Sequence, residues 1–227
     1  IDEDLIKNSN VKSILSPSTG LNHINVKSVP IVSVKNDKVL NNVWSTAEHT
    51  LYLMLSIVRG KHELHDKTLG IIGYGRLGKM VEHLCKPLFK EIISVDKGDS
   101  FDELYEKSDV VSIHMDYNPT TEYMIDNEFL SYFKKNIYLI NTARGEIVNE
   151  QDIKHLLSVG RIKGYATDVL QTEYNEQKSA FYGVDYVITT PHIAGTSIEA
   201  QEKTYKRVLE KYENIKWFFR NNKNNKI

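Results

Sequence analysis

Three side chains set the chemical question: Arg144, Glu173 and His192. A guanidinium is a planar, two-pronged donor that clamps a carboxylate and polarises a neighbouring carbonyl. A histidine moves a proton near neutral pH, and an acid beside it orients the ring. That set suits hydride chemistry on a small 2-oxo or 2-hydroxy acid. Each residue follows an apolar run that reads as a strand. Arg144 lies in Asn141-Thr142-Ala143-Arg144-Gly145, after 137–141. Asp168 and then Glu173 follow 163–168, and His192 lies in Pro191-His192-Ile193-Ala194-Gly195, after 186–190. His114 closes 110–114. In an open parallel sheet, ligands bind outside the carboxyl ends of the strands. The arginine, the acid and the histidine therefore converge on one edge.

A hydride needs a carrier, and a turn for one is present. Thr68-Leu69-Gly70-Ile71-Ile72 reads as a strand and runs into Gly73-Tyr74-Gly75-Arg76-Leu77-Gly78, a G-x-G-x-x-G pattern. An amphipathic helix and a second β-rich run, Ile92 to Val95, follow, and that run ends at Asp96. Gly73 permits the tight turn, Gly75 admits a pyrophosphate to the backbone, and Gly78 lets helix and strand pack closely. The helix N-terminus attracts phosphate, and Asp96 is placed to accept the ribose hydroxyls of NAD.

Strands are expected at 69–72, 92–95, 110–114, 137–141, 163–168 and 186–190, and helices at 76–90, 101–107, 122–133, 149–159 and 196–218. This alternation predicts an α/β fold, a doubly wound parallel sheet with helices on both faces. Ahead of it, short β-like runs at 11–15 and 29–34 flank Pro17-Ser18-Thr19-Gly20. Residues 45–59 read as a mostly apolar helix, capped by Ser45 or Thr46, for a core or a subunit interface.

The 227 residues carry a net charge of −1, with 41% hydrophobic and 26% charged residues. No basic stripe argues for nucleic acid, and no apolar run is long enough for a membrane span. The lone cysteine, Cys85, excludes an internal disulfide and suits a reducing cytoplasm. No metal is expected. The remaining histidines, His23, His49, His62, His65, His83 and His155, are read as structural. The chain starts at Ile1, so it is expected to lack something upstream.

The blocks 141–149 (Asn-Thr-Ala-Arg-Gly-Glu-Ile-Val-Asn), 164–170 (Gly-Tyr-Ala-Thr-Asp-Val-Leu) and 190–195 (Thr-Pro-His-Ile-Ala-Gly) resemble the signatures of the D-isomer-specific 2-hydroxyacid dehydrogenases. The family includes phosphoglycerate, D-lactate, formate and glyoxylate/hydroxypyruvate enzymes, and the resemblance runs from about residue 9 to about 216. It implies an NAD-dependent oxidoreductase. Arg144 matches the family's substrate-binding arginine, His192 its proton-donating histidine, and Glu173 the acid paired with that histidine. Asp168 matches the acid that contacts the nicotinamide amide. Arg76 and Leu77 fall where backbone amides meet the pyrophosphate. Thr142 and Ala143 line the nicotinamide side, with His114 and Gly195 nearby. Ser18, Thr19 and Gly20 resemble the loop that binds the substrate carboxylate, and the 44–59 helix resembles the family's homodimer element.

The implied layout is a remnant of a flavodoxin-like substrate domain at 1–43, an NAD-binding domain at 44–195 and a returning helix at 196–227. Several departures from the pattern stand out. The N-terminal half of the usual substrate domain is missing, Asn25 to Pro30 is short, and only Gly60 to Thr68 stands for a longer dimer arm. Only Lys97 to Ser100 separate Asp96 from the next helix, and Tyr174 replaces the family's proline after the acid. The alternative reading is a non-catalytic or truncated, NAD-binding, dimerising relative.

Overall fold

The computed structural model describes residues 1–58, 60–172 and 181–222. The chain divides into two compact units, Ile1–Val43 with Thr196–Ile227, and Trp44–Gly195. The first opens with α1 (Glu3–Ile6), capped by the Asp2 carboxylate, and a parallel pair, β1 (Ile14–Ser16) and β2 (Ile31–Ser33).

In the second unit α2 (Ser45–Val58) precedes β3 (Thr68–Ile72), α3 (Arg76–Cys85), β4 (Glu91–Val95), α4 (Asp102–Lys107), β5 (Val110–Ile113), α5 (Asn127–Ser131), β6 (Ile137–Asn141), α6 (Glu150–Ser158), β7 (Ile162–Thr167) and β8 (Val187–Thr189). The six strands form one parallel sheet in the order β4-β3-β5-β6-β7-β8. This is the expected doubly wound α/β sheet, and the direction of winding reverses at β3 and β5. Only a short link follows Asp96, so β4 is the edge strand.

The period of two along each strand sorts side chains into two cores. Leu69, Ile71, Val110, Tyr138, Ile140 and Ala166 pack with Leu53, Met54 and Ile57 of α2 and Val81 and Cys85 of α3. Ile72, Val111, Ile113, Leu139 and Tyr165 face the other layer, with Leu104, Leu130, Ile153 and Leu156 from α4, α5 and α6. Such near-continuous apolar strands belong to a parallel sheet covered on both faces. The chain returns to the first unit as α7 (Ile198–Asn222), whose Val208 packs on Val34 and Leu40. Arg207 pairs there with Asp37 at 2.9 Å.

Several elements are shorter than their sequence pattern. α3 stops at Cys85, not at residue 90, because Pro87 has no amide hydrogen to donate to the His83 carbonyl, so the helical bonding ends with Lys86 donating to Glu82. α5 covers only Asn127–Ser131 of the expected 122–133. Tyr123 takes a left-handed φ of 50°, Ile125 bridges to Val148, and Asp126 caps the helix that then starts. β1 keeps only Ile14 and Leu15 of the run at 11–15 and adds Ser16, and β2 keeps three residues of the run at 29–34. Ser45 is the first residue within α2 and its buried hydroxyl caps nothing.

Candidate active site

The dinucleotide turn is built as its glycines require. Gly73 has φ 94°, and a side chain there would meet the His114 carbonyl at 2.7 Å. A side chain at Gly78 would run into the Gly73 carbonyl oxygen. Gly75 differs, because a Cβ there meets nothing within 4 Å. No protein atom demands glycine at that point, and the space fits a phosphate approaching the backbone. Gly75 is also the N-cap of α3 and brings no capping side chain, so the amides of Arg76 and Leu77 begin the helix facing that space. Asp96 is exposed at the end of β4, where its Oδ1 accepts from the Lys97 amide at 2.9 Å.

Across the next strands the register sets Asn141, Thr167 and Thr189 level with one another. Arg144 lies three residues past this row, Asp168 one past it and His192 three past it. Asn141 shapes the arginine turn. Its Oδ1 accepts from the Ala143 amide at 3.0 Å, and its Nδ2 donates to the Arg144 carbonyl at 2.9 Å. Arg144 is half-buried, with Nη1 donating to the Ala143 carbonyl. At Gly145 a Cβ would collide with the Leu170 carbonyl, so the arginine turn lies hard against the chain leaving Asp168. That chain is tied down at Gln171, whose amide donates to Glu150 Oε1 at 2.8 Å. Glu173 lies outside the described residues.

Asp168 is only 1% exposed and is engaged by its own chain. Oδ1 accepts from the Thr190 hydroxyl at 2.6 Å and the Ile193 amide at 2.9 Å, and Oδ2 accepts from the Ala194 amide at 2.8 Å. The Asp168 carbonyl takes the His192 amide at 2.9 Å. The acid that the sequence assigns to the nicotinamide amide thus fastens the turn carrying His192. His192 itself is exposed, with a left-handed φ of 55°.

Thr142 is buried and its hydroxyl meets Thr50 Oγ1 of α2 at 2.8 Å. Ala143 is buried, and a Cβ at Gly195 would stand 3.8 Å from Thr46 Oγ1. Ser18, Thr19 and Gly20 follow β1 in the first unit, with Ser18 and Thr19 exposed. Sequence reasoning missed His49, Thr50 and Thr190. His49 Nε2 lies 2.9 Å from Thr190 Oγ1 and 3.5 Å from Asp168 Oδ1. The signal was available, since Thr46, His49 and Thr50 are polar residues on the helical stripe that continues into Leu53 and Ile57. Among the described residues, no cluster of three or more His, Cys, Asp or Glu side chains is arranged to hold a metal ion, and no helix is long and apolar enough to cross a membrane.

The sequence profile described as D-isomer specific 2-hydroxyacid dehydrogenase, NAD binding domain, matches residues 56–194. The chain belongs to that family. The matched stretch is the family's NAD-binding domain, and the cofactor is NAD. By family the chain is an oxidoreductase of small 2-hydroxy and 2-oxo acids. It is 28% identical to the D-specific alpha-keto acid dehydrogenase of Enterococcus faecium, over 90% of this chain and 76% of that protein. It is 30% identical to the erythronate-4-phosphate dehydrogenase of Wigglesworthia glossinidia brevipalpis, over 89% of this chain and 57% of that one. Among solved structures it is similar to an NAD-dependent formate dehydrogenase from Staphylococcus aureus in complex with NAD. There the TM-score is 0.81 at 27% identity, covering 94% of this chain and 76% of that chain. A D-lactate dehydrogenase from Aquifex aeolicus, complexed with NAD and lactic acid, gives a TM-score of 0.77 at 28% identity, covering 97% and 80%.

The sequence places His114 near the cofactor, and its main chain does flank Gly73. Its ring turns inward: Nε2 meets Ser112 Oγ at 2.8 Å, and Nδ1 is buried without a hydrogen-bond partner. Burial pushes the imidazole down to about 3 from its ordinary 6.5. The unfolded chain takes up this proton as pH falls through 6.5, whereas the folded chain does not until about 3. Stability is therefore full above 6.5 and is lost as pH falls across that window. His114→Gln should lessen the loss of unfolding free energy between pH 7 and pH 5 by about 2 kcal/mol. Denaturant titrations at the two pH values measure this, and an unchanged acid dependence contradicts it.

Proposed function

We propose that this chain reduces small 2-oxo acids to D-2-hydroxy acids with NADH, and catalyses the reverse with NAD, using Arg144, His192 and Glu173. The observation that carries this reading is the level row Asn141–Thr167–Thr189, from which the Arg144 and His192 turns both spring. Bound NADH supplies a hydride at C4 of its nicotinamide. The Arg144 guanidinium holds the substrate carboxylate and polarises the keto oxygen. His192 delivers the proton to that oxygen in reduction and takes it back in oxidation. Glu173 is assigned as the acid that orients the His192 ring, by the sequence resemblance alone. Thr142, Ala143 and Gly195 are assigned to the nicotinamide side, and Ser18, Thr19 and Gly20 to the substrate carboxylate. The chain is placed in the cytoplasm, a reading supported by a single, buried, free cysteine.

A homodimer through α2 is part of the proposal. The outer face of that helix leaves Tyr52 54% and Leu55 37% exposed beside Glu48. Apolar side chains of this size on a helix otherwise buried in the core suit a second copy.

The exposed Asp96 carboxylate is placed to hydrogen-bond a ribose diol and repel a 2′-phosphate. Fluorescence titration should show NADH bound at least roughly tenfold more tightly than NADPH. Equal binding would contradict the role of Asp96.

Arg144→Lys keeps the charge and loses the two-pronged geometry. It should cut kcat/KM for the 2-oxo acid by roughly 2–4 kcal/mol of transition-state stabilisation, with NADH affinity within a few-fold. His192→Ala should lower kcat on the order of 100-fold or more, with NADH binding little changed. Steady-state kinetics on a panel of 2-oxo acids measures both. NADH binding without turnover of any acid would leave only a non-catalytic NAD-binding relative.

A further inference from the structure

We propose that His49 and Thr190 are positioning residues that hold the His192 turn in its working conformation from the side of α2. This rests on the catalytic role assigned to His192 above. Proton count fixes the direction of the bonds here. The Thr190 hydroxyl has one proton, and it goes to Asp168 Oδ1 at 2.6 Å. Thr190 Oγ1 can then only accept from His49 Nε2, 2.9 Å away. His49 must therefore carry its proton on Nε2. The result is a directed chain, His49 Nε2–H to Thr190 O–H to Asp168 Oδ1, on the same oxygen that accepts the Ile193 amide. The other carboxylate oxygen takes the Ala194 amide. Chained hydrogen bonds polarise and strengthen one another away from water.

The turn needs such fastening. His192 has φ 55°, a left-handed conformation that is strained for a non-glycine residue and persists only where its surroundings over-determine it. Its amide lies within bonding distance of both the Asp168 and Thr190 carbonyls, at 2.9 and 3.0 Å. Asp168 grips the two residues that follow, and His49 orients the hydroxyl that grips Asp168. His49 is itself fixed by a tilted ring contact with Tyr52, 5.5 Å between centroids. His49 and Thr190 are 141 positions apart in sequence. The contact therefore couples α2 directly to the end of β8, and Tyr52, on the outer face of α2, is its next link.

Three variants test this. His49→Gln places a donor nitrogen where the histidine Nε2 stood, His49→Phe keeps a ring and removes the donor, and Thr190→Val removes the hydroxyl. His49→Phe and Thr190→Val should each lower kcat for 2-oxo acid reduction about tenfold, with the NADH dissociation constant within about twofold of wild type. His49→Gln should recover most of that kcat. The double variant of His49→Phe with Thr190→Val should be no worse than either alone, because both break one chain. Equal losses in His49→Gln and His49→Phe, or additive losses in the double variant, would overturn the proposal in favour of simple packing. A second readout needs no turnover. Amide hydrogen exchange at Ile193 and Ala194 should accelerate about tenfold in His49→Phe and return towards wild type in His49→Gln. Imidazole ¹H–¹⁵N spectra should show His49 as the Nε2–H tautomer. An Nδ1–H tautomer, or exchange rates indifferent to residue 49, would refute the chain. If the wild type reduces no 2-oxo acid, the dehydrogenase assignment fails by itself, and the exchange and tautomer data still decide whether His49 holds the turn.

Discussion

The buried carboxylate of Asp168 is the constraint on which the arrangement of this site depends. An ionised group removed from water costs several kcal/mol unless its oxygens are satisfied. Here they are satisfied by the Thr190 hydroxyl and by the amides of Ile193 and Ala194. The carboxylate can be buried only if the chain after β8 folds back over the end of β7, and that fold carries His192. Arg144 is set by a similar economy on the neighbouring strand, where the Asn141 amide shapes its own turn and Gly145 lets that turn press against Leu170. The chemistry assigned to the site thus rests on polar side chains at strand ends that bond to main chain and leave the arginine and histidine to project beyond them.

Much of this was legible in the sequence because it is local. The glycine turn names its own backbone requirements, and near-continuous apolar runs alternating with amphipathic segments can only be a covered parallel sheet. The strand-end rule then selects Arg144, Asp168 and His192 without a structure. The contacts within the site were less legible because they are not local. Asp168 reads as a ligand-facing acid, and only the folded chain shows it turned onto residues 22 to 26 positions away. His49 sits in an apolar helix, and nothing near it in sequence announces Thr190. Helix ends failed where a single residue overrode the pattern, as Pro87 does after α3 and the left-handed Tyr123 does before α5.

α2 has two roles that its composition alone did not separate. One face buries Leu53, Met54, Ile57 and Val58 in the core of the NAD-binding unit. Thr50 and His49, on the same side, reach the strand ends through Thr142 and Thr190. The outer face keeps Tyr52 and Leu55 in solvent. A helix fixed this firmly to the sheet is a stiff support, and any partner on its outer face would press on an element already bonded to the turn that bears the histidine.

The most direct measurement is the fate of the hydride itself. NADH carrying deuterium in place of both hydrogens at nicotinamide C4 is incubated with the protein and a panel of 2-oxo acids, and the products are resolved by chiral chromatography with mass detection. The assignment made here predicts a 2-hydroxy acid of D configuration with deuterium at C2. A 2-hydroxy acid without deuterium at C2, or one of L configuration, would contradict it.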